Sequence, residues 1–307
     1  MTSLKFSRYY TSLPLRSFAM RDFNSRETEI NQHYWSFVAS SNYSRYRARR
    51  FKKIDPNMES VRLFKASGGD SSRIPTTVSD WLSANADLQN WLRLSILVSA
   101  AANLEMYLGH IARTALASDP FVRYGNPRAL DGVCLVKSGI ELPYKDAIEG
   151  LTKGDWNSRE AKIGIYFGVG FLEVRSRKSD LEEIRKIRNE FAHGFGRSLE
   201  VPEAGTLTNS KSFRLSENKL KAYLGIMSHV AKTVDRHLMF NHIGSFELIK
   251  YYDANIKKIQ IASLKPGHEI DMCFKRCLYD DCGLTVSRKF CRDVIGHYDQ
   301  CIPAFPI

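Results

Sequence analysis

The chain has 307 residues, 43% apolar and 25% charged, a balance that fits a globular protein and excludes a disordered or fibrous one. Its net charge of +12 favours a polyanionic partner, nucleic acid or an acidic membrane surface, and charge alone does not choose between them. Six cysteines in so long a chain do not make a disulfide scaffold, and the basic, aromatic start MTSLKFSRYYTSLPLRSFAMRDF lacks a secretory apolar core, so a cytoplasmic location is expected.

Residues 1–78 read as a basic N-terminal extension and linker. The densest cationic run, SRYRARRFKK (Ser44–Lys53), interleaves Arg45, Arg47, Arg49, Arg50, Lys52 and Lys53 with Tyr46 and Phe51. Such a strip offers cations to phosphates and ring faces to bases. The same pattern suits a solvated surface or an arm laid on an acidic neighbour, and the sequence leaves both open. SGGDSSRIPTTVS (Ser67–Ser79) is a linker by composition.

Residues 79–252 read as a helical bundle. From Leu94 the apolar positions Leu97, Val98, Ala101, Leu104, Leu108, Ile111, Ala112 and Ala115 recur at helical spacing, until Ser118-Asp119-Pro120 ends the run. Arg93 and Glu105 interrupt the apolar stretch Trp91–Leu108, so it falls short of a clean membrane span and no membrane partner is expected. Glycines and prolines break residues 119–160, leaving a short helix at Tyr144–Leu151. A further helix is expected over Ser179–His193, N-capped by Ser179 or Asp180 and stopped by Gly194 and Gly196. Ser216 caps another, with the stripe Leu220, Tyr223, Leu224, Met227, Val230, Val234 and Leu238. The architecture expected is mainly α: a bundle with a basic extension and a small helical C-terminal module at 253–307.

The helix LEEIRKIRNEFAHG (Leu181–Gly194) carries an arginine in the wrong sector. With Leu181 at zero and about 100° per residue, Ile184, Ile187 and Phe191 cluster near 300°, 240° and 280°, and Arg188 falls near 340°, inside the apolar face. Asn189 and His193, four residues apart, stack just beyond it. Snorkelling of the arginine and dipole complementarity of the histidine are sufficient structural explanations for each alone. On the long upstream helix Glu105 falls among apolar neighbours in the same way, and a buried carboxylate needs a cation. Pairing of Glu105 with Arg188 is the economical arrangement, with Arg185 as the rival.

Arg188-Asn189-Glu190-Phe191-Ala192-His193 has the Arg-x4-His form and resembles the motif of HEPN domains; NLEMYL (Asn103–Leu108) resembles the family's first helix. The resemblance spans about residues 80–252. It implies a HEPN-like helical bundle and a metal-independent endoribonuclease whose site forms when two copies dimerise, a toxin or phage-defence effector acting on RNA and controlled by an antitoxin or regulatory protein. His193 would move protons, Arg188 would stabilise charge on phosphorus, Asn189 would orient the histidine or the phosphate, and Glu105 would support the arginine. No cofactor or metal is implied. The tyrosine found two residues after the histidine in some toxin members is replaced by Phe195. Two alternatives stay open: a non-catalytic dimerising module that binds nucleic acid or protein, and a DNA-binding regulator that uses the C-terminal module.

Cys273, Cys277, Cys282 and Cys291, followed by His297 and Cys301, invite a zinc reading, but no tight Cys-x2-Cys knuckle is present. The segment parses more naturally as two amphipathic helices about a glycine turn, with cysteines as small core residues.

Overall fold

The computed structural model describes residues 6–9, 16–168, 172–194 and 213–303. Among them the protein is mainly α, a helical bundle without strands; an isolated antiparallel bridge pairs Glu59 with Thr77. The helices are α1 (Phe18–Ile54), α2 (Ser60–Phe64), α3 (Val78–Ser118), α4 (Gly132–Lys137), α5 (Lys145–Thr152), α6 (Trp156–Phe167), α7 (Leu172–Ser176), α8 (Lys178–Gly194), α9 (Glu217–Leu238), α10 (Phe246–Ser263), α11 (Ile270–Cys282) and α12 (Arg288–Gln300). A single π turn, Met239–Ile243, links α9 towards α10. The polar loop that Pro202 and Gly205 mark in the sequence between α8 and α9 lies outside the described residues.

Two compact units divide the chain. One is built from Met1–Asp22, Glu105–Lys178 and Val230–Ile307, the other from Phe23–Leu104 and Ser179–His229. Both are discontinuous, whereas the expected partition at 1–78, 79–252 and 253–307 is drawn along the sequence. Helices α1, α3 and α9 each contribute to both units, and α8 gives its first residue, Lys178, to the first.

The second unit packs the body of α1 beside the first part of α3, with α8 and the start of α9. The supposed N-terminal extension is therefore largely a 37-residue helix. Along the body of the helix, buried Phe23, Tyr34, Ser41 and Ala48 alternate with half-buried Glu27, Ile30, Phe37 and Arg45 on a seam of three- and four-residue steps. So narrow a stripe, part of it polar or small, leaves α1 with little amphipathic signal, although a two-in-seven seam suffices to dock a long helix. Polar contacts fix the docking: the Ser41 hydroxyl donates to Asn85 Oδ1 at 3.1 Å, Gln89 Nε2 donates to Ser41 Oγ at 3.0 Å, and Asn103 Nδ2 donates to the Phe23 carbonyl at 3.1 Å.

The first unit gathers the end of α3, α4–α7, the end of α9 and α10–α12. Tyr252 stacks edge-on against Phe274 and Tyr298, with ring centroids 5.0 and 5.3 Å apart. The expected helix pair at the C-terminus is present: Gly283 turns left-handed after α11, and the Leu284 amide donates to the Leu278 carbonyl at 3.0 Å. Cys273 and Cys291 are buried as core residues. Helix α10, which no sequence signal marked, supplies Phe246, Leu248, Ile249 and Tyr252 to this core.

Arg8 is 1% exposed at the centre of the unit. It donates to Ser118 Oγ and the Ser118 carbonyl at 2.8 and 2.7 Å and meets Asp131 Oδ1 at 2.7 Å. Two glycines allow this approach. A Cβ on Gly244, whose φ is +53°, would lie 1.9 Å from the Arg8 carbonyl oxygen, and one on Gly132 would lie 1.9 Å from that of Ala117.

Helix α3 passes for a membrane span by length and apolar content. Its apolar face is nonetheless covered by protein: Leu94, Leu97, Leu104, Leu108 and Ile111 are all buried. Glu105 does occupy a protected face, as its helical phase indicates, and it meets a cation there, Arg159 of α6, at 3.0 Å. Glu105 and Arg159 both belong to the first unit, and helical phase within one helix cannot name a partner on another. Arg159 is 4% exposed in its side chain. Glu105→Ala is expected to destabilise the protein by about 3–5 kcal/mol, because it strands a buried guanidinium, and Glu105→Gln by less. Urea denaturation followed by circular dichroism measures both; a destabilisation below about 1 kcal/mol for the alanine variant would count against this role.

Glu247, at the start of α10, accepts from the Phe18 amide at 3.0 Å and so satisfies an N-terminal donor of α1. Burial pushes its carboxyl up to about 8. The folded state then holds a proton that the unfolded chain releases near the ordinary carboxylate range. Stability from this group is full below that range and is lost as pH rises through about 8. Glu247→Gln should flatten the fall in thermal midpoint between about pH 5 and pH 8. An unchanged pH profile would show that Glu247 is ionised in the fold.

Candidate nucleic-acid site

Helix α8 follows its predicted span closely, starting at Lys178 with Asp180 in its first turn, where a carboxylate favours the helix dipole. Leu181, Ile184 and Ile187 are buried, and Glu190 on the far side is exposed. Arg188 sits between these extremes, half-buried, as its place at the edge of the apolar sector requires. Its Nη1 donates to Asn189 Oδ1 at 3.1 Å. Asn189 therefore restrains the arginine, in addition to any role towards a histidine or phosphate. Phe191 packs against Trp91 of α3, ring centroids 6.2 Å apart.

His193 is in the last turn of α8, one turn beyond Asn189; its side chain lies outside the described residues, as do Phe195 and Gly196. Arg185 is held on its own helix by Glu182 at 2.6 Å, and Glu183 meets Lys219 of α9 at 2.5 Å. These ion pairs leave α8 anchored at its N-terminal half, with Arg188 and Asn189 following.

The cationic strip lies on the last turns of α1. Arg47, Arg49, Arg50, Lys52 and Lys53 line its outer side, and Arg45 is half-buried. Arg50 lies over the Tyr46 ring at 5.8 Å and Arg47 over Phe51 at 5.4 Å, so two guanidinium groups extend along ring faces. Tyr43 and Tyr46 are 64% and 56% exposed, an unusual display of aromatic surface beside cations and the arrangement suited to stacking bases. Lys52 Nζ donates to Ser79 Oγ at 3.0 Å, tying the strip to the start of α3.

A cavity of about 160 Å³ opens beside this strip, lined by Tyr34, Asn42, Arg45, Gln89, Arg93 and Glu217 among others. Burial, with the neighbouring charges of Arg49 and Arg93, pulls the Arg45 guanidinium below its ordinary range. Cations crowded in this way are relieved by an anion. Arg93 donates through Nε to the Leu215 carbonyl at 2.6 Å and is an addition to the residues expected from sequence. Its only signal there is that it interrupts an apolar run.

A larger cavity, of about 540 Å³, lies in the first unit among His110, Arg113, Glu141, Tyr144, Glu247 and Lys250. None of the site residues expected from sequence lines it. Its charges are mixed in sign, unlike those of the strip.

Comparison with protein-family models, curated proteins and solved structures finds no match for this chain. The likeness to HEPN domains rests on the motif residues and their placement on α8.

Replacing Arg47, Arg49 and Arg50 together by glutamine should weaken binding of single-stranded RNA across sequences. The slope of log affinity against log salt should fall by about 0.7 for each phosphate that the variant no longer neutralises. Fluorescence anisotropy at several salt concentrations measures this. Equal affinity and slope for the variant would remove the strip from the interface.

Proposed function

We propose that the protein is a metal-independent endoribonuclease of the HEPN type that works as a homodimer. The observation that carries the reading is Arg188, half-buried at the edge of the apolar face of α8 and restrained by Asn189, with the His193 position one turn further along. A guanidinium so placed is a fixed cationic fork for a phosphate, and a histidine titrates near neutral pH.

In the reaction His193 takes the proton from a ribose 2′-hydroxyl. The 2′-oxygen forms a bond to phosphorus, and the bond from phosphorus to the 5′-oxygen breaks. A histidine of the second copy supplies the proton to that leaving oxygen. The products are a 2′,3′-cyclic phosphate and a 5′-hydroxyl. Arg188 offsets the charge that builds on the non-bridging oxygens. Two copies are called for because one histidine is poorly placed to act as both base and acid on opposite sides of one phosphorus. The strip Arg45–Lys53 holds the RNA backbone, and a cytoplasmic toxin or defence role under a regulatory partner fits such an activity.

The exposed cations and tyrosines of α1 also favour a second reading, a dimerising RNA-binding module without chemistry. Purified protein in EDTA, folded by circular dichroism, is expected to cleave RNA. Arg188→Ala and His193→Ala should each lower the rate by about 10² or more, the range of general acid–base catalysis, with the fold intact. Light scattering should give twice the chain mass. Binding without cleavage selects the second reading; cleavage that survives His193→Ala, or a strict monomer with RNA bound, overturns the mechanism.

A further inference from the structure

The first unit brings together four side chains that the sequence keeps far apart. Asp131 is the N-cap of α4, its Oδ1 accepting from the Val133 amide at 2.9 Å, and Cys134 lies three residues on. His297 is in the last turn of α12 and Cys301 is the residue that caps it. His297 Nε2 lies 2.9 Å from Asp131 Oδ2 and 3.5 Å from Cys301 Sγ, and these three atoms are all within 4.8 Å of one another. Cys134 lies near Cys301 and is among the neighbours that, after burial, hold the Cys301 thiol up.

We propose that Asp131, Cys134, His297 and Cys301 form a structural zinc site that clamps the end of α12 to the start of α4. The spacing is compatible with a zinc site: Asp-x2-Cys at a helix start and His-x3-Cys at a helix end, with an aspartate where a knuckle would have its first cysteine. Zinc–sulfur and zinc–nitrogen bonds of about 2.3 and 2.0–2.1 Å at a tetrahedral angle separate sulfur from nitrogen by roughly 3.5 Å. The Sγ to Nε2 distance already has that value. Cys134, one turn along α4 from Asp131, would have to move onto the same centre as the fourth ligand.

The hydrogen bonding supports the same conclusion. A single imidazole nitrogen faces both the carboxylate and the thiol, and its one proton cannot serve both well; a dication at the centre serves both donors and Cys134 besides. This geometry argues against a catalytic Cys-His-Asp relay, in which thiol and carboxylate address opposite ring nitrogens. The surroundings are those of a held ligand set. Arg8 occupies Asp131 Oδ1 and leaves Oδ2 towards the centre. Lys137 Nζ donates to the carbonyls of Tyr298 and Cys301 at 2.9 and 2.8 Å, which fixes the end of α12. The Phe6 ring lies edge-on to the imidazole, centroids 6.2 Å apart. Arg8 and Lys137 also offset the negative charge that two thiolates and a carboxylate bring to a dication.

Spacing along the sequence points instead to Cys273, Cys277, Cys282 and Cys291 as zinc candidates, followed by His297 and Cys301. Only His297 and Cys301 belong to this site, and Asp131 and Cys134 are hidden by distance along the chain.

The test uses the full-length reduced protein, loaded with zinc chloride and passed into metal-free buffer. Elemental analysis is expected to give one zinc per chain. His297→Gln and Cys301→Ser should lose it, and Cys282→Ser, outside the site, should keep it. Cobalt in place of zinc should give the intense visible bands of a tetrahedral centre with a thiolate charge-transfer band, which Cys134→Ser weakens without abolishing. Zinc should raise the thermal midpoint of the metal-stripped wild type and leave that of His297→Gln unchanged. Absence of zinc from the wild type, retention by His297→Gln and Cys301→Ser, or a Cys134–Cys301 disulfide in place of bound metal would each overturn the proposal.

Discussion

A polar group on the buried face of a helix must find a partner, and helix α3 carries several. Asn85 accepts from Ser41 of α1, and Asn90 holds the segment before α9 through the Phe213 carbonyl and the Leu215 amide. Asn103 reaches the Phe23 carbonyl, Glu105 meets Arg159 of α6, and the Tyr107 hydroxyl donates to the Ala231 carbonyl of α9. An apolar stripe tolerates many neighbours at similar cost. A buried amide or carboxylate left unmatched costs about 1–3 kcal/mol or more, so each one selects a particular neighbour and register. The bundle is greasy enough to collapse and polar enough to collapse in one way.

The same rule governs the charges at the end of α3. Ser118 accepts from Arg8 at both its hydroxyl and its carbonyl, and its hydroxyl donates to the His242 carbonyl at 2.6 Å. Asp119 is fully buried and faces His242 Nδ1 at 3.0 Å, while its other oxygen accepts from the Arg128 amide at 2.8 Å. A network of this kind adds little over an apolar core while every member is matched, and becomes expensive when one is removed. Its value here is positional. It places the start of α4 against the end of α3, and so sets Asp131 where α12 arrives.

At the motif helix the demand runs the other way. Arg185, Glu182, Glu183 and Lys219 are matched close by, but the strip at the end of α1 concentrates cations that the described acidic groups do not neutralise to the same degree. The net charge of +12 is thus gathered in part on one helix beside exposed rings. Charge arranged so has its physical complement in a polyanion with flat bases.

Much of this was legible in the sequence. The spans of α8 and α9, the second half of α3 from Leu94 and the presence of the C-terminal pair follow from apolar spacing, N-caps and glycine stops, and the half-burial of Arg188 follows from its angle on α8. Helix α1 was hidden because its seam is only two residues in seven and runs through Ser41 and Ala48. Glu105 shows the boundary most clearly: its place on one helix announces that it needs a cation, because periodicity fixes which face is buried. Only the tertiary structure decided that the cation is Arg159, and that Asp131 meets His297 across 166 residues. Helical phase is a local quantity, set by the rotation per residue along one segment. Partner choice between segments depends on how whole faces pack, and that is settled only when all of them are folded together.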